Sequence, residues 1–269
     1  MADFTVSDTE LGAAPLFACR YDQRFSYYTY TPEGYDRHGK KNYPLVAAVH
    51  GTERAAESYR DAFIDFAEEF QVVVLAPLFP AGIIDFGDLD AYKFMKIHGI
   101  RFDHVLLAMI DEAAGKYRIA KDKFLLHGFS GGGQFAHRFF CLHPDRLAAV
   151  SIGAPGRITY LDDAKKWPFG TADFYEQFGT GLNLKSMREV PVQVIVGEQD
   201  TEELNDQSHT SGFAAGFSGG STRLARAETL AANYERHGIT VKFDQVPGVA
   251  HEGFQVLPAV KTFFSGILA

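Results

Sequence analysis

The sequence predicts an α/β fold: a mostly parallel central sheet with helices on both faces and an antiparallel hairpin at the N-terminal end. Three observations lead there. Short continuous apolar runs recur along the chain. Segments with apolar residues at helical spacing lie between them, and an aromatic, β-branched segment with a turn at its middle precedes the first. Parallel strands need crossover connections, and the crossing helices cover the sheet.

Residues 16–31 (LFACRYDQRFSYYTYT) read as a hairpin or two edge strands, with Asp22-Gln23 placed to turn. A polar loop bracketed by prolines (PEGYDRHGKKNYP) follows. Residues 45–50 (LVAAVH) are apolar enough for a strand covered on both faces. Residues 55–70 carry Tyr59, Phe63, Phe66 and Phe70 at helical spacing, and 72–76 (VVVLA) is the next strand. A helix over 102–117, a strand over 124–127, a helix over 133–142 and apolar strands over 147–152 and 192–196 continue the alternation. A helix over 222–237 stops at Gly238, where glycine relieves left-handed strain. Residues 241–246 are the last strand and 254–267 the closing helix. Residues 1–269 thus read as a single domain. Two long aromatic insertions, 77–98 and 156–189, interrupt it and have the length of binding loops or lids.

The net charge of −8 and pI near 5.7 argue against a nucleic-acid partner, which would meet a basic face. The start, MADFTVSDTELGAAPLF, lacks the basic and apolar regions of a signal peptide, and no apolar stretch approaches a membrane span. Cys19 and Cys141, far apart in sequence, suggest buried thiols rather than a disulfide framework. The expectation is a cytoplasmic protein with a small-molecule substrate and no membrane partner. Its oligomeric state is open. No His-Glu-x-x-His spacing occurs among the ten histidines, so no metal is expected, and no cofactor either.

The pattern Gly-x-Ser-x-Gly appears twice, as GFSGG at 128–132 and again at 216–220. It marks a strained turn that presents a nucleophilic serine, provided a strand runs in and a helix runs out. Ser130 has both: KFLLH precedes it and QFAHRFFCLH follows. Ser218 follows the polar, glycine-broken DQSHTSGFAA, and is expected to cap the helix after it. A catalytic serine also needs a histidine to take its proton and an acid to orient that histidine. After Ser130 the strand PVQVIVGEQD ends in Asp200, and KFDQVPGVAHEGF presents His251 before the last helix, in the order serine, acid, histidine. For Ser218 the available acid is Asp244, inside its strand and seven residues before His251. Ser130, Asp200 and His251 are therefore the expected catalytic residues.

Taken together, VAAVHG, GFSGGG, VIVGEQD and VAHEGF resemble the α/β-hydrolase superfamily over essentially the whole chain, most closely the polyhydroxybutyrate depolymerase and feruloyl esterase branch. The resemblance implies the α/β-hydrolase fold and a serine hydrolase, carboxylesterase-like, that cleaves an ester of a small or medium, partly apolar substrate through an acyl-enzyme. The same triad acting on an amide, a lactone or a carbon–carbon bond beside a carbonyl is the alternative, and a non-catalytic binding protein on this fold is the third reading. The backbone amide of Gly131, directly after the nucleophile, is one expected oxyanion donor. The resemblance places the second just after His50-Gly51, at Thr52 or, next, Glu53, with His50 orienting the loop. An aromatic-walled cleft is expected from the insertions, with Phe79, Trp167, Phe169, Phe174 and Tyr175 as substrate-binding candidates, and Phe86, Tyr92, Phe94, Tyr160 and Phe178 in the same loops. His209 lies in the loop after Asp200 and is expected to face solvent, with a place lining the site as the alternative.

Overall fold

A computed structural model describes residues 6–204 and 219–269. Its strands, in chain order, are β1 (Gly12–Ala13), β2 (Phe17–Ala18), β3 (Ser26–Thr31), β4 (Leu45–Val49), β5 (Val73–Leu78), β6 (Lys96–Ile97), β7 (Ile100–Arg101), β8 (Phe124–Phe129), β9 (Leu147–Gly153), β10 (Val192–Gly197) and β11 (Val241–Val246). The α-helices are α1 (Ala56–Asp61), α2 (Ile64–Phe70), α3 (Phe102–Lys116), α4 (Gly131–Leu142), α5 (Phe174–Phe178), α6 (Leu184–Glu189), α7 (Arg223–Arg236) and α8 (Leu257–Leu268).

The main sheet runs β1-β3-β5-β4-β8-β9-β10-β11, with β2 also on β3. From β5 to β11 neighbouring strands are parallel, whereas β1, β2 and β3 are antiparallel to their partners. The expected N-terminal hairpin is β2 and β3, turning at Asp22, whose carbonyl accepts from the Phe25 N–H at 3.0 Å. The chain crosses one way from β4 to β5 and the other way from β5 to β8 and onward. Right-handed crossovers therefore put α1 and α2 on one face and α3, α4 and α7 on the other. The last helix, α8, returns to the first face, where it packs on α2 and Lys261 pairs with Asp65.

The strands buried throughout are mostly apolar: every residue of β4, β8 and β10 is buried, His127 and Gln193 among them, whereas none of the edge strand β11 is. All twelve residues of α4 are buried as well, so the helix that leaves Ser130 is held by the core on every side. No helix among the described residues is long and apolar enough to cross a membrane.

Three local expectations change. The helix over 55–70 is two helices: the Phe63 N–H bonds the Arg60 carbonyl at 3.2 Å, a tightened turn that ends α1 before α2 begins. The strand expected over 72–76 continues through Pro77. Pairing of β5 with β4 ends at Leu75, so at Pro77 only β3 lies alongside and the missing N–H leaves no inner ladder broken. The cap of α7 is Thr222, whose Oγ1 accepts from the Ala225 N–H at 3.2 Å. Ser218, expected in that role, lies outside the described residues, as does His209.

Candidate active site

Strand β8 delivers Phe129, the chain turns at Ser130, and α4 starts at Gly131. Ser130 has φ 55° and ψ −112°, a backbone conformation that L-residues avoid and that is held here because both flanking elements are buried. The turn is tight enough to exclude side chains beside it. A Cβ on Gly132 would lie 2.2 Å from the Val49 carbonyl oxygen, and one on Gly133 would lie 2.1 Å from that of Gly153. Those glycines let the start of α4 sit directly on the ends of β4 and β9. The Ser130 N–H bonds the Gly153 carbonyl at 2.8 Å, which fixes the turn to β9.

The loop after β10 carries Asp200 and the loop after β11 carries His251. Both strands end at the same sheet edge as β8, because all are parallel. His251 Nε2 lies 3.0 Å from Ser130 Oγ, and His251 Nδ1 lies 2.6 Å from Asp200 Oδ2. With the Nδ1 proton on the carboxylate side, Nε2 is left to accept the serine proton. The Phe129 ring lies 4.9 Å from that of His251 and restricts its tilt. Asp200 is 1% exposed, and Arg223 Nη1 approaches its other oxygen, Oδ1, at 3.4 Å. Asp244 is elsewhere: it accepts from Gln193 Nε2 at 2.6 Å and from Lys242 Nζ at 2.7 Å.

Gly131 and Thr52 come together. A Cβ on Gly131 would lie 3.2 Å from Thr52 Oγ1, 2.9 Å from the Lys93 side chain and 2.3 Å from the Tyr92 hydroxyl, so nothing larger than glycine fits. Arg54 holds the Thr52 loop by donating to the carbonyls of Thr52, Phe79 and Leu89 at 2.5, 3.3 and 2.8 Å. His50 orients it from the other side. Its Nδ1–H donates to the Gly51 carbonyl at 2.7 Å, and its Nε2 accepts from the Phe79 N–H at 3.0 Å. Burial pushes the His50 pKa down to about 4, which keeps that acceptor nitrogen unprotonated.

The expected aromatic wall does not surround Ser130. Phe79 is fully buried and stacks on Tyr92 and Phe135, with ring centroids 5.5 and 5.2 Å away. Trp167, Phe174 and Phe178 pack on one another, Phe169 is half-buried beside them in sequence, and Tyr175 is exposed to solvent. A pocket of about 180 Å³ opens at Ser130, and none of these five candidates lines it. Its wall has Thr52, Asp90, Lys93 and Arg157 on the insertion side, and Arg223 and Arg226 on the α7 side, with Gln134 of α4 also in it. Sequence reasoning missed these charged residues. The available signals were Gln134, four positions after the serine on α4, and the arginine pair that opens α7 just after the Asp200 loop.

Arg138 holds the insertion side in place. It is fully buried, donates to Thr159 Oγ1 at 2.8 Å and the Lys93 carbonyl at 2.5 Å, and lies over the rings of Phe94 and Trp167. Burial, then the nearby Arg157, push its pKa down to about 9. Among the described residues no group of three or more His, Cys, Asp or Glu side chains could hold a metal ion.

No protein-family model matches the chain, and no curated protein matches its sequence. Solved structures do. Poly(aspartic acid) hydrolase-1 from Sphingomonas sp. KT-1 superposes with a TM-score of 0.73 at 24% identity, over 93% of this chain and 97% of the other. A poly(3-hydroxybutyrate) depolymerase from Bordetella parapertussis gives 0.71 at 23% identity, over 90% and 84% of the two chains. A ferulic acid esterase gives 0.64 at 16% identity, over 95% and 97%. The chain has the α/β-hydrolase fold. On that fold Ser130 stands in the sharp turn between strand and helix, with Asp200 and His251 on loops at the same sheet edge.

Proposed function

We propose that the protein is a serine hydrolase that cleaves a carboxylic ester through an acyl-enzyme. The observation that carries this reading is the continuous chain from Ser130 Oγ through His251 to Asp200, at 3.0 and 2.6 Å, with the serine in a strained turn. Ser130 Oγ attacks the ester carbonyl as its proton passes to His251 Nε2, and Asp200 steadies the imidazolium. The negative charge on the carbonyl oxygen is met by the amides of Gly131 and Thr52. The proton on His251 then goes to the departing alcohol. Water, deprotonated by the same nitrogen, attacks the acyl carbon and frees Ser130.

The esterase and depolymerase structures of the same fold support an ester as the bond. The polar wall at Ser130 favours a polar group on the substrate over the partly apolar one expected from the aromatic insertions. The test is hydrolysis of p-nitrophenyl butyrate together with labelling by a fluorophosphonate. The expected result is turnover and labelling in the natural chain, with both lost in a folded Ser130→Ala variant. Turnover that persists in that variant overturns the reading.

A further inference from the structure

The charged side chains around the pocket at Ser130 are engaged within the protein. Lys93 and Arg157 pair with Asp90 at 2.5 and 3.2 Å, and Arg223 Nη1 faces Asp200 at 3.4 Å and Glu202 at 3.8 Å. Arg226 donates to the carbonyls of Gly156 and Gly220, and both it and Arg157 have further partners. These groups shape the wall.

A neutral side chain stands apart from them. Gln134 lies one helical turn beyond Ser130 on α4, its N–H bonding the Ser130 carbonyl at 3.0 Å. The other strongly polar side chains of that helix are satisfied. His137 Nδ1–H donates to the Gly133 carbonyl and its Nε2 accepts from the Thr159 N–H, each at 3.0 Å, and Arg138 has three acceptors. Gln134 is 6% exposed and lines the pocket, yet its Oε1 has no hydrogen-bond partner. Gly156 leaves the amide room to turn, since a Cβ there would crowd Gln134 Nε2 at 3.2 Å. Arg223 Nε, a donor only, is likewise unpartnered in the same wall. Unused hydrogen-bonding capacity in a buried position is costly unless a ligand takes it up. A carboxamide matches both, with an N–H for Gln134 Oε1 and a carbonyl for Arg223 Nε.

We propose that Gln134 determines specificity by pairing with a carboxamide on the acyl part of the substrate, so that the protein prefers esters whose acyl chain ends in a primary amide. The inference rests on the hydrolase reading above. The acyl part is the one concerned because the leaving oxygen has to face His251 Nε2, and His251 is not in the wall of this pocket. In benzyl succinamate the amide sits against Gln134 while Ser130 Oγ bonds to the ester carbonyl carbon. The bond to the benzyloxy oxygen breaks, and that oxygen takes the proton from His251. Water then releases the acyl group from Ser130, giving succinamate and benzyl alcohol in all.

The experiment compares kcat/KM for benzyl succinamate with that for benzyl levulinate, in which a methyl replaces the amide NH2 and the carbonyl remains, by release of benzyl alcohol. The amide is expected to be favoured by about tenfold, and the ratio to fall to about one in Gln134→Met, which keeps the side-chain length without its polar atoms. Gln134→Leu repeats the test should Gln134→Met fail to fold. A natural-chain ratio at or below one, or a ratio that neither variant moves, overturns the proposal. Monobenzyl succinate preferred over the succinamate overturns the choice of an amide. If neither ester turns over, the pocket is judged by calorimetric titration with propionamide: saturable binding weakened by Gln134→Met supports it, and no binding overturns it. Failure of fluorophosphonate to label Ser130 is the separate result that marks the hydrolase reading itself as wrong.

Discussion

Arg223 Nη1 lies 3.4 Å from Asp200 Oδ1, while the other oxygen of the same carboxylate faces His251 Nδ1 at 2.6 Å. One guanidinium thus touches the back of the proposed triad and also lines the pocket in front of it. It fixes the plane in which Asp200 presents an oxygen to His251, because a partial turn of the carboxylate loses both contacts. Replacing Arg223 by Ala should lower kcat by about tenfold through misorientation of Asp200, a loss near 1.4 kcal/mol of transition-state stabilisation. Steady-state kinetics on p-nitrophenyl butyrate, with the rate of fluorophosphonate labelling alongside, measure it. An unchanged kcat would show that Asp200 is held without Arg223.

The two carboxylates at the ends of β10 and within β11 should differ sharply. Asp200→Asn removes the negative charge that fixes the His251 tautomer and stabilises its imidazolium, and should reduce kcat by about 10³- to 10⁴-fold. Asp244 pairs with Gln193 and Lys242, so Asp244→Asn should leave kcat within about threefold. A comparable loss in both variants would mean that the acid has been misassigned.

Fold and triad candidates were legible for a shared reason. Strands buried on both faces are largely apolar, as VVVLA and VQVIVG are, and the serine, acid and histidine each follow a strand of the parallel sheet, where parallel pairing brings strand ends together. The pocket was not legible, because its residues come from irregular loops with no periodicity to read. An aromatic residue in such a loop packs a loop core as readily as it faces a ligand. Phe79 and Trp167 do the former, while Lys93 and Arg157 are brought to Ser130 by the buried Arg138, which contacts both insertions. That bridge spans 45 residues in one direction and 19 in the other and leaves no local pattern.

Arg138 should accordingly matter more to stability than its lack of contact with Ser130 suggests. Arg138→Ala removes a cation that is fully buried on α4 and takes away the donor to the Lys93 carbonyl and one of the two hydrogen bonds of the Thr159 hydroxyl. Destabilisation of about 3 kcal/mol is expected from such a loss. Urea denaturation checks it, and a change under about 1 kcal/mol would mean that the insertions dock without this residue.

Acid should unfold the protein through its buried histidines before its carboxylates are titrated. Burial pushes His50 down to about 4 and His127 to about 3, and holds His137 well below the ordinary histidine value of 6.5. Each folded pKa lies below the unfolded one. As pH falls below 6.5 the unfolded chain therefore takes up protons that the native chain refuses. The stability that comes from keeping these imidazoles neutral is complete above 6.5 and is lost as pH falls towards 4, by at most about 1.4 kcal/mol per pH unit for each histidine. Glu10, held at about 2 by Lys116, acts in a lower window, below its unfolded value of 4.5. Urea midpoints at pH 7.5, 6.0 and 5.0 should fall steadily, and the slope should be shallower in His127→Gln, which leaves two of the three groups. A slope between pH 6.0 and 5.0 that is identical in that variant would remove His127 from the account and assign the acid sensitivity to the remaining pair.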